Sequence, residues 1–176
     1  DLCHALDCDI AVLLNITPDH LDRYDGFADY AAAKERLFTM QHVDKVAVIA
    51  TEDDRTKMIA SRINHRLMRV SSKQVGDQSR WPSLQGPHNA QNVAAARAVA
   101  EVLGIKASTI EEALHTYPGL PHRMERVREL GGVVYVNDSK ATNPTSTAPA
   151  LAAFPAIHWI LGGRAKTSEL DACVPY

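Results

Sequence analysis

The string NITPDHLDRY brings an imidazole and two carboxylates together directly after an apolar run. His20 lies between Asp19 and Asp22 in this string. Imidazole nitrogens and carboxylate oxygens bind divalent ions and also serve phosphate chemistry. Ligands of open α/β sheets bind at the carboxyl ends of strands, where this loop would stand. A polar turn capped by its aspartates explains the same residues, so the spacing alone leaves both interpretations open.

Two further strings with chemically useful side chains also follow apolar runs. NDSKATNPTS joins an acid (Asp138), a cation (Lys140) and a hydroxyl (Thr142). A plain turn does not need that mixture, so a functional loop is favoured here. In GGRAK, two glycines allow a ligand to approach closely, and Lys166 can bind a carboxylate. Three polar strand ends together indicate a ligand cleft, without identifying the ligand.

Four other polar residues are candidates with less informative surroundings. Lys34 lies in AAAKER, where a lysine is normally a solvated helix residue paired with its neighbours. Asn89 and Asn92 belong to GPHNAQN, which leads into a helix. The free amides there can hold an anion or a purine edge, although a helix cap explains the same asparagines. Arg123 follows the turn signal PGLP, from which its charge can enter a cleft between domains.

Apolar runs that alternate with helical patterns predict the elements that position these loops. The expected elements are a strand at 9–15, a helix at 29–40, a strand at 45–50, a strand or short helix near 58–70, and helices at 91–103 and 108–117. Gly104 ends the first of the last two helices, and Ser108 with Glu111 forms a capping box for the second. A strand, a helix and a strand in that order imply a right-handed parallel unit.

The segment Pro118-Gly119-Leu120-Pro121 predicts a domain boundary near Pro118. We therefore expect one parallel-sheet domain at 1–118 and the start of a Rossmann-like domain at 119–176. The expected elements of the second domain are a strand at 132–137, a helix at 146–154 and a strand at 157–161. The predicted fold class is α/β, and the second domain has too few elements to close a core.

Composition excludes several classes of protein. A formal net charge of -2 gives no cationic field for nucleic acid. The longest apolar runs are too short to cross a bilayer, and the start of the chain has no secretory signal pattern. Cys3, Cys8 and Cys173 lack a C-x-x-C spacing, which favours a reducing cytoplasm over disulfides or structural zinc. We expect a cytoplasmic protein without a nucleic-acid or membrane partner.

Several strings, taken in order, resemble the Mur ligase superfamily. They are LNITPDHLDRY, AAKERLF, GPHNAQNVAAA, GLPHRME, NDSKATNPTST and ILGGRAKT. The distance from GLPHR to NDSKATN is similar to that of the branch that adds D-glutamate. The resemblance covers nearly the whole chain except 51–83. It implies part of a central ATP-binding domain with a parallel sheet, followed by a truncated, amino-acid-binding Rossmann-like domain.

The resemblance also implies a reaction. Members of this branch bind ATP and Mg2+, and ATP phosphorylates the carboxylate of UDP-MurNAc-L-alanine. The amine of D-glutamate then attacks the acyl phosphate and forms the peptide bond. The implied setting is peptidoglycan precursor synthesis in the bacterial cytoplasm, by a monomer.

Five residues match positions of the family near the reacting centre. His20 matches a metal-associated histidine. Lys34 matches a lysine carried as a carbamate, whose negative group helps hold Mg2+. Such a lysine must first be a neutral amine, for which a partly buried site is expected. Lys140 and Thr142 match residues near the reacting centre and D-glutamate, and Lys166 matches a lysine that grips a carboxylate of D-glutamate.

Four residues match the nucleotide site of the family. Asn89 and Asn92 match residues near the adenine. Arg123 matches an arginine that contacts the ATP phosphates and neutralises charge as the γ-phosphoryl group moves. Asp138 matches a residue on the ribose.

The sequence departs from the family pattern where parts expected for catalysis are missing. These parts are the Gly-rich P-loop, a metal-binding Glu before Asp1, the UDP-binding domain and distal D-glutamate contacts. Residues 51–83 are also shorter than expected. We therefore expect this polypeptide alone to be inactive. Two alternatives stay open: another Mur-type or folylpolyglutamate-type ligase, and a non-catalytic nucleotide-binding module. A purely structural α/β domain leaves the three polar loops unexplained.

Overall fold

The computed structural model describes residues 4–18, 23–163 and 169–176. These residues form two compact units. The first consists of the described part of Asp1–Val75 together with Gln91–Ala107, and the second of Gly76–Ala90 together with the described part of Ser108–Tyr176. None of the helices in the described ranges is long and apolar enough to cross a membrane.

The first unit contains a three-stranded parallel sheet in the order β1-β2-β3. The strands are β1 (Ile10–Leu13), β2 (Val46–Ala50) and β3 (Arg66–Val70). The helices that follow the strands or cover the sheet are α1 (Phe27–Thr39), α2 (Asp54–Arg62) and α3 (Pro87–Val102), the last of which begins in the second unit. Helices between parallel strands make this a βαβαβ arrangement.

Strand β2 is buried along its whole length, because its five residues, VAVIA, are all apolar and it is the middle strand. Ala47 and Ile49 pack with α1 and α2 in one hydrophobic cluster. Val46, Val48 and Ala50 pack with small residues of α3 in the other. The alternation of side chains along the strand therefore places helices on both faces of the sheet.

The second unit contains an antiparallel hairpin and two helices. The hairpin consists of β4 (Glu125–Leu130) and β5 (Val133–Asn137). Gly131 and Gly132 join the strands with φ values of 58° and 79°, which suits a tight hairpin turn. The helices are α4 (Ala107–Thr116) and α5 (Pro144–Leu151). Asn143 caps α5 by accepting a hydrogen bond from the backbone N–H of Ser146 at 2.8 Å.

The predicted α/β class with a parallel sheet is confirmed. The ambiguous segment near 58–70 contains both the end of α2 and the whole of β3. The strand predicted at 157–161 is wrong, because this run has no strand partner among the described residues and a strand needs a hydrogen-bonded neighbour. Ile160 in this run is 96% exposed. Strand β4 was not predicted, since ERVREL mixes charged and apolar residues.

Ile49→Ala should reduce the free energy of unfolding by about 2–5 kcal/mol, because it leaves a cavity in the fully buried middle strand. Val43→Ala is the matched control, since Val43 is 66% exposed and its truncation should cost no more than about 0.5 kcal/mol. Urea unfolding measures both. Equal losses for the two variants would contradict the burial pattern of the sheet.

Candidate functional site

A network of side chains links the carboxyl ends of the parallel strands in the first unit. Asn15 follows β1, Glu52 follows β2 and Ser72 follows β3. The Asn15 side-chain amide donates to Gln91 Oε1 at 3.1 Å, and Gln91 Nε2 donates to Glu52 Oε2 at 2.8 Å. The backbone N–H of Ser72 also donates to Glu52. Glu52 thus receives hydrogen bonds from the region beyond β3 and from α3.

The carboxylate of Glu52 is held in its charged form. Burial alone would raise its pKa, but hydrogen bonds from Ser72 and Gln91 outweigh burial and lower the pKa below the ordinary value of 4.5. The neighbouring Asp53 caps α2 by accepting from the Thr56 N–H at 2.8 Å, and it also accepts from the Ile16 N–H at 3.4 Å. Two successive acids therefore fix the polar end of this sheet. Neither acid was predicted from the sequence, although both lie within three residues of the end of β2.

Lys34 lies on α1 and is exposed, so the partial burial expected for it is wrong. The buried stripe of α1 is formed by Ala31 and Phe38, and Lys34 lies beside that stripe. Its Nζ stands 5.1 Å from the ring centroid of Tyr30, one turn earlier on the helix. The carboxylate of Glu35, next in the chain, instead accepts two hydrogen bonds from Arg62 at 2.9 and 3.0 Å.

Two predicted site residues, His20 and Lys166, lie outside the described residues, as do Asp19 and Asp22. Asn92 belongs to the first unit, on α3, and is exposed. The hydrophobic clusters of α1 and α3 lie on opposite faces of the sheet. These predicted roles stay predictions.

The second unit places Arg123 in a turn with unusual backbone geometry. His122 and Met124, on either side of it, have φ values of 62° and 50°. Left-handed backbone is unfavourable for residues with a side chain, and such strain is commonly found at functional sites. Met124 is only 8% exposed and anchors the turn, whereas Arg123 is exposed. The turn therefore presents the guanidinium while its neighbour is buried.

Hydrogen bonds tie this turn to the loop after β5. The Met124 N–H donates to Asp138 Oδ1 at 2.9 Å, and the Lys140 N–H donates to the His122 carbonyl at 3.0 Å. The string GLPHRME and the string NDSKATN thus form one structure, although they begin 18 positions apart, at Gly119 and Asn137. Three predicted residues, Arg123, Asp138 and Lys140, are brought together. Thr142 is exposed in the same loop, next to the cap of α5.

His88 and Asn89 lie in the first turn of α3. Only Asn89 was predicted as a site residue from the sequence. Asn89 Nδ2 donates to the Gln85 carbonyl at 3.0 Å. His88 is half-buried, and its buried Nδ1 has no hydrogen-bond partner among the described residues. Burial lowers the pKa of His88, and the charge of Asp138 partly opposes this. Gly86 has a φ of 88°, and a Cβ there would lie 2.9 Å from Ala153 Cβ, so glycine is required.

A cavity of about 310 Å3 lies within the second unit but contains none of the predicted site residues. Its lining includes Gln85, Met124, Arg126 and Phe154. The Arg126 guanidinium pairs with Glu129, and Gln85 Nε2 donates to two backbone carbonyls. The side chains of Arg126 and Gln85 are therefore already bonded to other groups of the protein. The candidate site is instead the turn around Arg123, whose residue Met124 lines this cavity.

Comparison with known proteins finds similar sequences that align with the whole or nearly the whole chain. A family model described as "Mur ligase middle domain" matches residues 1–82. Proteins of Sphingopyxis alaskensis and Zymomonas mobilis, both named "UDP-N-acetylmuramoylalanine--D-glutamate ligase", are 60% and 57% identical to this chain. These alignments cover 100% and 98% of the chain. The chain is therefore similar to Mur ligases, and its residues 1–82 match their middle domain. It spans 42% and 40% of the length of these two relatives.

The fold is also similar to that of a solved structure. MurF from Acinetobacter baumannii matches with a TM-score of 0.65 at 24% identity, over 81% of this chain and 36% of that chain. At this identity the likeness concerns the fold alone.

The candidate site in the second unit has a defined chemistry. Arg123 and Lys140 supply cations, and Asp138 supplies a carboxylate that accepts hydrogen bonds. Charge-assisted hydrogen bonds from guanidinium groups suit phosphate oxygens. No three His, Cys, Asp or Glu side chains among residues 4–18, 23–163 and 169–176 are grouped to hold a metal.

Glu52→Gln should flatten the dependence of stability on acid pH. The folded-state pKa of Glu52 lies below its ordinary value of 4.5, so its charge stabilises the protein above that pH. That stability is lost as pH falls through the folded-state pKa. Thermal unfolding at pH 7 and about pH 3 should therefore show a smaller difference for Glu52→Gln than for the wild type. Glu101→Gln, an exposed change on α3, is the control, and an equal flattening there would contradict the role of Glu52.

Proposed function

We propose that this chain is part of an ATP-dependent ligase that joins D-glutamate to UDP-MurNAc-L-alanine through an acyl phosphate. One observation carries the proposal: relatives named for this reaction align with the whole or nearly the whole chain at 60%, 57% and 54% identity. The function belongs to the full-length protein, because the chain spans less than half of each relative. We place it in peptidoglycan precursor synthesis in the cytoplasm, as a monomer whose domains divide near Pro118.

The turn around Arg123 supports the nucleotide part of the proposal. ATP supplies the phosphoryl group that activates the carboxylate of UDP-MurNAc-L-alanine. The exposed Arg123 fits the phosphates, since a guanidinium on a hydrogen-bonded turn is a preorganised partner for phosphate oxygens. Asp138 fits the ribose, because its half-buried carboxylate can accept hydrogen bonds from sugar hydroxyls. Asn89 and Asn92 are assigned to the adenine.

We assign to Lys34 a carbamate that holds Mg2+ together with His20, because the strings around both residues resemble those of the family. Lys34 is exposed, so dissolved CO2 can reach its amine. Its sequence neighbour Glu35 pairs with Arg62 at 2.9 Å. A carbamate would add anionic oxygens, which are the ligands Mg2+ prefers. When bound, the ion supplies charge neutralisation for the phosphoryl group.

The loop after β5 supports the amino-acid part of the proposal. Lys140 and Thr142 are exposed beside the turn that carries Arg123, so they can orient the reacting groups. Lys166 is assigned to a carboxylate of D-glutamate. The amine of D-glutamate attacks the acyl carbon, the bond to the phosphate oxygen breaks, and phosphate leaves. Arg123 neutralises charge on the transferred group during the first step.

Phosphate release by the full-length protein tests the function. The protein is supplied with ATP, Mg2+, UDP-MurNAc-L-alanine and one of D-glutamate, L-lysine, meso-diaminopimelate or L-alanine. Release that requires D-glutamate is expected. Release with another amino acid would assign the protein to a different Mur-type or folylpolyglutamate-type ligase. Absence of release with all of them, from folded protein, would favour a non-catalytic nucleotide-binding module.

Lys34→Ala in the full-length protein should abolish peptide-bond formation, because the carbamate that helps hold Mg2+ is lost, and added bicarbonate should not restore it. Lys57→Ala, which removes an exposed lysine of α2, is the matched control and should retain activity. Product formation is followed by chromatography. Normal turnover by Lys34→Ala would overturn the carbamate role while leaving the ligase assignment intact.

A further inference from the structure

Asn137, the last residue of β5, has a side-chain amide whose orientation is fixed by its neighbours. The backbone N–H of Ser139 donates to Asn137 Oδ1 at 3.1 Å. An N–H can donate only to the oxygen of an amide and not to its NH2 group. The oxygen therefore lies toward Ser139, and Nδ2 is the atom left to face the turn around Arg123.

Nδ2 of Asn137 lies 2.9 Å from His122 Nδ1. An amide NH2 carries two donors and no acceptor, so Nδ1 must accept this hydrogen bond and carry no proton. The other N–H of the amide is directed to Glu125 Oε2, at 3.3 Å. The two N–H groups of the Asn137 amide thus donate to His122 and to Glu125, one to each.

Glu125 does not compete for the proton of His122 in this arrangement. Its Oε2 lies 3.7 Å from His122 Nδ1, which is longer than a hydrogen bond. The same oxygen accepts from the His122 backbone N–H at 2.9 Å and from Asn137. A neutral imidazole with an unprotonated Nδ1 carries its proton on Nε2. None of the described residues accepts a hydrogen bond from that Nε2–H.

We propose that Asn137 is a positioning residue that holds His122 in the Nε2–H tautomer. His122 thereby becomes a neutral hydrogen-bond donor, adjacent to Arg123, for a phosphate oxygen of the nucleotide. This inference rests on the proposed function, because that function supplies the phosphate. The bond to Asn137 also helps hold His122 at its positive φ, together with the bond from the Lys140 N–H to the His122 carbonyl.

The tautomer is measured directly by 15N NMR of histidine-labelled, full-length protein at a pH where His122 is neutral. The wild type should show a protonated Nε2 and an unprotonated, hydrogen-bonded Nδ1. Asn137→Asp places a carboxylate against Nδ1 and should move the proton to Nδ1 or add one there. A wild-type Nδ1–H, or a spectrum that Asn137→Asp leaves unchanged, would overturn the inference. This experiment requires no catalytic activity, so its failure is distinct from a failure of the proposed function.

Kinetics of the full-length protein test whether the donor serves the nucleotide. Asn137→Ala should raise KM for ATP about tenfold, the size expected for losing one hydrogen bond to a charged group, while KM for D-glutamate stays the same. The same change made in a His122→Ala background should have no further effect on KM for ATP, since Asn137 acts through His122. An equal rise in both backgrounds would overturn the inference. Thermal unfolding of each variant confirms that it is folded, and Asn137→Asp replaces Asn137→Ala if the latter unfolds.

Discussion

The complete burial of β2 is the constraint on which the first unit depends. A strand covered by helices on both faces must be apolar throughout, and VAVIA meets that requirement. Polar groups can then be placed only beyond the strand ends. Glu52 and Asp53 lie two and three residues after the end of β2, and they receive hydrogen bonds from the segments after β1 and β3 and from α3. The buried strand thus determines where this unit can carry charge.

The sheet of the second unit is only a two-stranded hairpin, and a hydrogen-bonded turn around Arg123 organises this unit. Two left-handed residues flank Arg123, and their strain costs on the order of 1–3 kcal/mol each. Three hydrogen bonds hold this turn against the end of β5. The Asn137 side chain donates to the His122 ring, the Met124 N–H donates to Asp138, and the Lys140 N–H donates to the His122 carbonyl. Placing an arginine on such a turn fixes its backbone before a ligand arrives, which reduces the ordering that binding requires.

The sequence predicted elements that depend on local pattern and missed features that depend on distant partners. The apolar runs of β1 and β2 and the grouped chemistry of Asp138 and Lys140 could be predicted because neighbours in sequence define them. The strand at 157–161 was wrong because pairing requires a second strand, which an apolar run does not guarantee. The exposure of Lys34 follows from packing that helical spacing alone does not settle. Glu52 and Asn137 were missed because their partners lie far along the chain.

The fate of an oxygen atom tests most directly that the full-length protein is a ligase acting through an acyl phosphate. UDP-MurNAc-L-alanine labelled with 18O in its carboxylate is incubated with ATP, Mg2+ and D-glutamate, and the released phosphate is analysed by mass spectrometry. A carboxylate oxygen that attacks the γ-phosphorus stays on phosphorus when the amine displaces phosphate. One labelled oxygen should therefore appear in phosphate for each peptide bond formed. Peptide formation with unlabelled phosphate would contradict the mechanism.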